Sequence, residues 1–242
     1  MKIIYEKYSP NFNDRKSKID IIVIHYTGMK SEQESLEQLC NTSSKVSSHF
    51  LINYSGDIFS LVEEEKRAWH AGVSFWNGEN DINSSSIGIE LDNPGHEYGY
   101  KPFTESQMVS LEKLISYLIK KYNIPLYNIV GHSDIAPLRK KDPGEFFEWK
   151  RLAKKNLSIW PKKILLNPFN NISIGEKSRS VLKVQKSLSE IGYKINQDAY
   201  YGAETKLVLQ AFQRRFRSNK FDGCFDNITG MMIHSVNSLI NI

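Results

Sequence analysis

The segment IDIIVI, residues 19–24, constrains the fold more than any other part of the chain. An almost unbroken run of β-branched aliphatic residues fits a strand covered on both faces, as in the interior of a sheet flanked by helices. The run ends directly in His25-Tyr26-Thr27-Gly28. An imidazole is therefore expected at the strand's carboxyl end, the edge where ligands collect in open α/β sheets.

The neighbouring segments supply the rest of such a sheet. Ser31 with Glu34 predicts a capping box opening a short helix through Leu36 and Leu39. Residues 46–62, VSSHFLINYSGDIFSLV, predict two strands joined by a turn at Asn53–Gly56. A further strand is expected at Ser86–Leu91. From Thr104 to Asn123 the spacing predicts a helix, opened by a Thr104/Gln107 box. Met108, Leu111, Leu114, Ile115, Leu118 and Ile119 fall on one face of it. A short strand at Asn128–Val130 leads into Gly131-His132. This order of elements predicts an α/β fold with a mixed central β-sheet flanked by helices.

Between about Leu157 and Ser180 the texture changes, with Trp160-Pro161, Asn167-Pro168 and a run of Asn and Ser. Residues 1–161 are therefore expected to form one domain, 162–176 a linker, and 177–242 a small all-α domain. Three helical patterns lie in the last: Val181, Leu182, Gln185, Leu188 and Ile191; Leu207, Val208, Ala211, Phe212 and Phe216; and Met231, Met232, Val236 and Leu239. Gly-containing turns at Ala199–Gly202 and Asp222-Gly223 separate them.

Composition narrows the function classes. Hydrophobic residues at 40% and charged residues at 24% are ordinary for a globular chain, and no apolar run reaches membrane-spanning length. A formal net charge of +5 points to an anionic partner. The basic residues are scattered, however, in pairs such as Lys140-Lys141 and Arg214-Arg215, which suits a solvated surface better than nucleic-acid binding. Cys40 and Cys224 lie far apart, which suits two separate thiols. The polar start of the chain carries no signal-peptide pattern, so the cytoplasm is the expected compartment, with the periplasm or cell envelope as the alternative. A monomer is the default expectation. A serine hydrolase is disfavoured because no G-x-S-x-G elbow is present, and neither cysteine sits in a recognisable catalytic motif.

The chemistry gathers in two places, His25 and the segment GHSDIAPLRKKDPG at 131–144. In the latter, His132 and Asp142 share a loop containing Pro137 and Pro143. Two imidazoles and one carboxylate meet the demand of a catalytic zinc ion for three ligands and one open position. The same ligand types suit iron, cobalt or nickel, and capping or hydrogen-bonding roles would also account for this spacing.

Five motifs in register, IVIHYTG, VSSHFLI, AWHAGVSFW, SSIGIELDN and GHSDIAPLRKKDPG, resemble the type 2 N-acetylmuramoyl-L-alanine amidases. That family includes bacterial anhydromuropeptide amidases and is similar to animal peptidoglycan recognition proteins; the resemblance covers roughly residues 18–161. It implies a mixed sheet with one Zn2+ in a groove, held by His25, His132 and Asp142. It also implies a catalytic carboxylate at Glu90 and an oxyanion-stabilising ammonium at Lys140, with Lys141 as the competing neighbour. His49, Trp69 and His70 are expected to line the groove or support the metal site, and Asn83 to contact the peptide. Phage-type members carry a tyrosine before the second-motif histidine where this chain has Ser48, so the resemblance is to the branch that uses a glutamate at Glu90. His96 and His234 fall outside every motif.

Residues 176–240, through Gln185-x-x-Leu188, Tyr201-Gly202 and Ala211-Phe212-Gln213, resemble a three-helix peptidoglycan-binding module. Such a module would raise the local concentration of enzyme on polymer. The implied partners are peptidoglycan fragments, and the implied activity is cleavage of the bond between lactyl group and L-alanine. The rival expectation is a recognition protein of the same fold that binds but does not cut.

Overall fold

The computed structural model describes residues 2–161 and 171–240. By packing, the chain divides into two compact units, one of residues 1–74 with 81–132 and the other of residues 75–80 with 133–242.

The first unit is built on a mixed six-stranded sheet. Its strands are β1 (Ile3–Ile4), β3 (Ile21–Tyr26), β4 (Phe50–Ile52), β5 (Ile58–Ser60), β7 (Ser86–Leu91) and β8 (Ile129–Gly131), in the order β1-β5-β4-β7-β3-β8. All neighbours are parallel except the hairpin β4/β5. The IDIIVI run lies in the interior as β3, with Ile22, Val23 and Ile24 fully buried. A separate antiparallel pair, β2 (Phe12–Asp14) with β6 (Lys66–Ala68), adds a small second sheet. Neither its strands nor β1 carries an apolar alternation that the sequence would betray.

The helices begin where the capping residues stand. In α1 (Glu32–Cys40) the Ser31 side chain accepts the Glu34 N–H. Glu34 does not close the box: its carboxylate accepts from the Lys30 N–H instead. In α4 (Glu105–Tyr122) both bonds of the Thr104/Gln107 box form, and Asn123 ends the helix in the left-handed region at φ 56°. Gln107 is fully buried, and its amide also donates to the carbonyls of Ile52 and Asp92, tying the helix to the ends of β4 and β7. Two single-turn helices, α2 (Ile82–Ser85) and α3 (Gly95–Tyr98), flank β7 in the chain.

The second unit contains two short helices, α5 (His132–Ile135, whose first residue closes the other unit) and α6 (Trp149–Lys154). It also contains α7 (Arg179–Ile191), α8 (Ala203–Phe216) and α9 (Asn227–Ile240). The buried faces are Val181, Val184, Gln185, Leu188 and Ile191 on α7, and Val208, Leu209, Ala211, Phe212 and Phe216 on α8. Leu182 and Leu207 are only half-buried, so each face is rotated slightly from the expected stripe. Two glutamines pin the turns: Gln185 bonds Asp198, Ala199, Tyr200 and Thr205, while Gln213 bonds Gly223, Cys224 and Thr229. Residues 133–161 pack in this same unit, so the packing boundary differs from the sequence boundary at 161/162. Of the expected linker, residues 162–170 lie outside the described residues. Cys40 and Cys224 are free thiols. Among the described residues no helix is long and apolar enough to cross a membrane.

Candidate metal centre and active site

Strand register brings the first residues together. β3 pairs with β8 so that Ile24 stands opposite Gly131, and His25 and His132 are the next residue on each side. Their rings meet edge to face with centroids 4.5 Å apart, and the two Nδ1 atoms are 3.0 Å apart. On the other side, β3 pairs with β7 so that His25 stands opposite Glu90, whose Oε1 lies 4.0 Å from His25 Nδ1. Asp142 completes the group: His25, His132 and Asp142 are buried, and each offers a ligand atom within 4.8 Å of the others.

The protons on these rings follow from their outer partners. The Ser86 hydroxyl donates to the Ile82 carbonyl, so its oxygen accepts at 3.2 Å from His70 Nε2–H. His70 Nδ1 is then a lone pair, 3.1 Å from His25 Nε2, which must carry the proton. That leaves a lone pair on His25 Nδ1. His132 Nε2 lies 3.2 Å from the Ala71 carbonyl and must donate to it, which leaves a lone pair on His132 Nδ1 as well. Two lone pairs directed into the same space suit a cation bound by both. Nitrogens bound to a tetrahedral zinc ion at ordinary lengths stand about 3.3 Å apart, close to the spacing here. Outer hydrogen bonds that fix the tautomer of each imidazole are the usual companions of metal-binding histidines. The residues therefore fit a divalent cation.

The remaining site residues sit around this core. His70 and Ala71 are held from below by Asn83, whose Oδ1 accepts both of their N–H groups at 3.0 and 2.8 Å. Gly88 makes room for the His70 ring: a Cβ there would stand 2.5 Å from His70 Cγ. His49, expected at the groove, is fully buried. Its Nδ1 accepts from the Gly88 N–H at 2.9 Å and its Nε2 donates to the Lys66 carbonyl at 3.0 Å. Burial, followed by the charge of Arg15 beside the ring, pushes the His49 pKa down to about 3. His70 is likewise held well below the ordinary imidazole value, first by burial and then by His25. Trp69 is half-buried, and its Nε1–H donates to Asn13 at 2.8 Å. Lys140 is half-buried on the turn after α5, where its N–H donates to the Ala136 carbonyl, while Lys141 is exposed.

Sequence reasoning passed over several contributors. Arg15 donates to the carbonyls of Glu64, Asn83 and Ser84 and abuts His49. Ser86 and the Ala71 carbonyl set the two tautomers. The signal available for Ser86 and Gly88 was their period-two spacing with Glu90 along β7, which places all three on one face. Arg214 and Arg215 do not belong to a solvated surface: they are buried and paired with Glu145 and Asp134. His96 lies 2.8 Å from the Tyr26 hydroxyl and stacks on Tyr100.

A buried His25, His132 and Asp142 group that could hold a metal ion, with the Glu90 carboxylate one strand away, is the candidate active site. Residues 15–145 match the family model for N-acetylmuramoyl-L-alanine amidase, and residues 177–230 match a putative peptidoglycan-binding domain. The chain belongs to the N-acetylmuramoyl-L-alanine amidase family. It is 35% identical to N-acetylmuramoyl-L-alanine amidase AmiD of Escherichia coli K12 over 85% of this chain and 78% of that protein. It is 37% identical to the 1,6-anhydro-N-acetylmuramyl-L-alanine amidase AmpD of Haemophilus influenzae over 59% of this chain and 86% of that one. Among solved structures, E. coli AmiD in complex with the substrate anhydro-N-acetylmuramic acid-L-Ala-D-gamma-Glu-L-Lys superposes with a TM-score of 0.79. That match has 30% identity and covers 94% of this chain and 92% of that one. AmpDh3 of Pseudomonas aeruginosa superposes with a TM-score of 0.80 at 28% identity, covering 100% of both chains.

Proposed function

We propose that the chain is a zinc-dependent amidase that hydrolyses the amide joining the lactyl group of N-acetylmuramic acid, in its anhydro or ordinary form, to L-alanine of the stem peptide. This places it in peptidoglycan turnover or recycling. The observation that supports the metal most is the pair of Nδ1 lone pairs 3.0 Å apart beside the Asp142 carboxylate. Two nitrogens and one oxygen donor suit zinc with one position left open. When bound, the ion supplies Lewis acidity toward the lactyl carbonyl and the attacking water.

The protein's own groups do the rest. Glu90, one strand from His25, takes the proton of the attacking water and delivers it to the departing amine nitrogen of L-alanine. Lys140 offsets the negative charge that develops on the carbonyl oxygen. Ser86, His70 and the Ala71 carbonyl keep the His25 and His132 protons on Nε2. Trp69, half-buried, is the candidate for direct substrate contact; His49, His70 and Asn83 act from beneath the site. The helical module retains the enzyme on polymer.

The test is mass spectrometry of purified anhydro and reducing muropeptides incubated with the protein, with and without a zinc chelator. Release of intact stem peptide that stops with chelator and returns with zinc is expected. Muropeptides that bind but stay uncut in the presence of zinc would establish a recognition protein instead.

A further inference from the structure

The loop that carries Asp142 is gripped by the helical module through a buried cluster that the reaction does not use. Asp134 is 1% exposed, and both of its carboxylate oxygens are taken by residues of the module. Oδ1 accepts from the Tyr193 hydroxyl at 2.6 Å, and Oδ2 accepts from Arg215 Nη1 at 3.0 Å. Burial, then the Asp134 charge, pushes the Tyr193 pKa well up, so this hydroxyl keeps its proton and remains a donor. The Arg215 guanidinium lies over the rings of Trp149 and Phe216, at 4.5 and 4.8 Å from their centroids.

The contact extends past Asp134 in both directions. Tyr193 meets the buried Trp76 edge to face at 5.2 Å, and the Asn77 N–H donates to the Gly192 carbonyl at 2.9 Å. Gly192 has no room for a side chain, since a Cβ would stand 2.9 Å from the Trp76 ring. At the far end of the loop, Arg214 Nε lies 3.9 Å from the Glu145 carboxylate, three residues beyond Asp142. The loop is also closed on itself: the Ser133 N–H donates to the Asp142 carbonyl at 2.8 Å, and the Phe75 N–H to that of Ile135 at 2.9 Å. Adjacent arginines on α8 thus hold both ends of the segment 134–145, and Asp142 lies between them.

We infer that Tyr193 and Arg215 are positioning residues for the metal ligand Asp142, so the module contributes to catalysis even on a small soluble substrate that needs no tethering. The inference rests on the metal reading given above. Its mechanism is indirect. Asp134 anchors the turn whose next contact is the Ser133–Asp142 bond, and an Asp134 released from its donors lets the Asp142 carboxylate wander from the ion. Outer partners of a metal ligand typically set 10- to 100-fold of its affinity, and these act one bond further out.

The test uses the full chain and two conservative variants, Tyr193→Phe and Arg215→Lys. Three quantities are read at 25 °C: zinc affinity by competition with a chromophoric chelator, kcat and KM on a soluble anhydromuropeptide, and hydrogen exchange of the Ser133 amide. Zinc affinity is expected to fall about tenfold for Tyr193→Phe and further for Arg215→Lys, because an ammonium cannot reproduce a planar fork stacked on two rings. The loss should appear in kcat with KM little changed, and Ser133 should exchange faster. Variants with wild-type zinc affinity and kcat overturn the inference, even if they melt earlier, because that would be a purely structural role. A wild-type protein that binds no zinc overturns both this inference and the metal reading, whereas equal binding by wild type and variants overturns this inference alone.

Discussion

The histidine layer at the end of β3 and the Asp134 cluster are both buried and both polar, yet their donors and acceptors balance differently. Around Asp134 the carboxylate oxygens accept from a hydroxyl and a guanidinium. Around His25 the bonds from Ser86 through His70 direct one Nδ1 lone pair, and the His132–Ala71 bond directs a second, toward one point. A buried cluster whose carboxylate faces a hydroxyl and a guanidinium holds a loop in place. One in which acceptors converge, as at His25, His132 and Asp142, is a candidate site for a cation. The difference is readable only when the protons are assigned.

That contrast can be broken from either side. The largest effect is expected from His132→Ala, which deletes one of the converging acceptors. Amidase turnover should fall at least about 10³-fold, and zinc should be lost on dialysis, with little change in folding in the presence of chelator. Glu90→Gln should lower kcat by about 10² to 10⁴ while zinc stays bound, a split that metal analysis beside the muropeptide assay resolves. In the Asp134 cluster the cost should appear in stability as well as in zinc affinity. Asp134→Asn removes the carboxylate paired with the buried Arg215, and denaturant unfolding should show a loss of about 3–5 kcal/mol. A milder break is Ser86→Ala, which frees His70 to adopt its other tautomer; zinc affinity should drop about tenfold with the fold intact.

The smallest effect sharpens the comparison by pH. The His49 pKa lies at about 3, far under its ordinary 6.5, so the unfolded chain takes up this proton first as pH falls. The stability from keeping His49 neutral is complete above about pH 6.5 and is lost progressively from there toward about pH 3. The slope from this one group is at most about 1.4 kcal/mol per pH unit. Urea midpoints at pH 7, 5.5 and 4.5 should therefore decline less steeply for His49→Gln than for the wild type. Parallel declines would assign the acid sensitivity to other groups.

What the sequence made legible was local. The run at 19–24, the Thr104/Gln107 box and the 3.6-residue stripes declare themselves within a few residues, so β3, β7, α4 and the three later helices fall close to expectation. The order of these elements was enough for a mixed sheet flanked by helices. What stayed hidden depends on register and on partners distant in the chain. The strands at 3–4, 12–14 and 66–68 have no apolar alternation and form because other strands offer them an edge. Ser86 and Arg15 look like ordinary polar residues until the fold sets them beside His70 and His49. Arg214 and Arg215 look like surface charge because nothing near them in the chain announces Glu145 or Asp134. The metal group itself stood out through motif wording more than through spacing, because a histidine at a strand end has many uses.

Strand β7 carries a hydroxyl, an empty place and a carboxylate at positions 86, 88 and 90, with isoleucines at 87 and 89 turned the other way. Such a strand has no partial failure. A slip of one residue would turn the serine, the glycine and the glutamate away together and offer two isoleucines in their place. A molecule misassembled at this strand would be inert rather than altered in what it cuts. Activity per milligram of protein would then count correctly paired molecules, and a preparation could be graded for the quality of its folding by its chemistry alone.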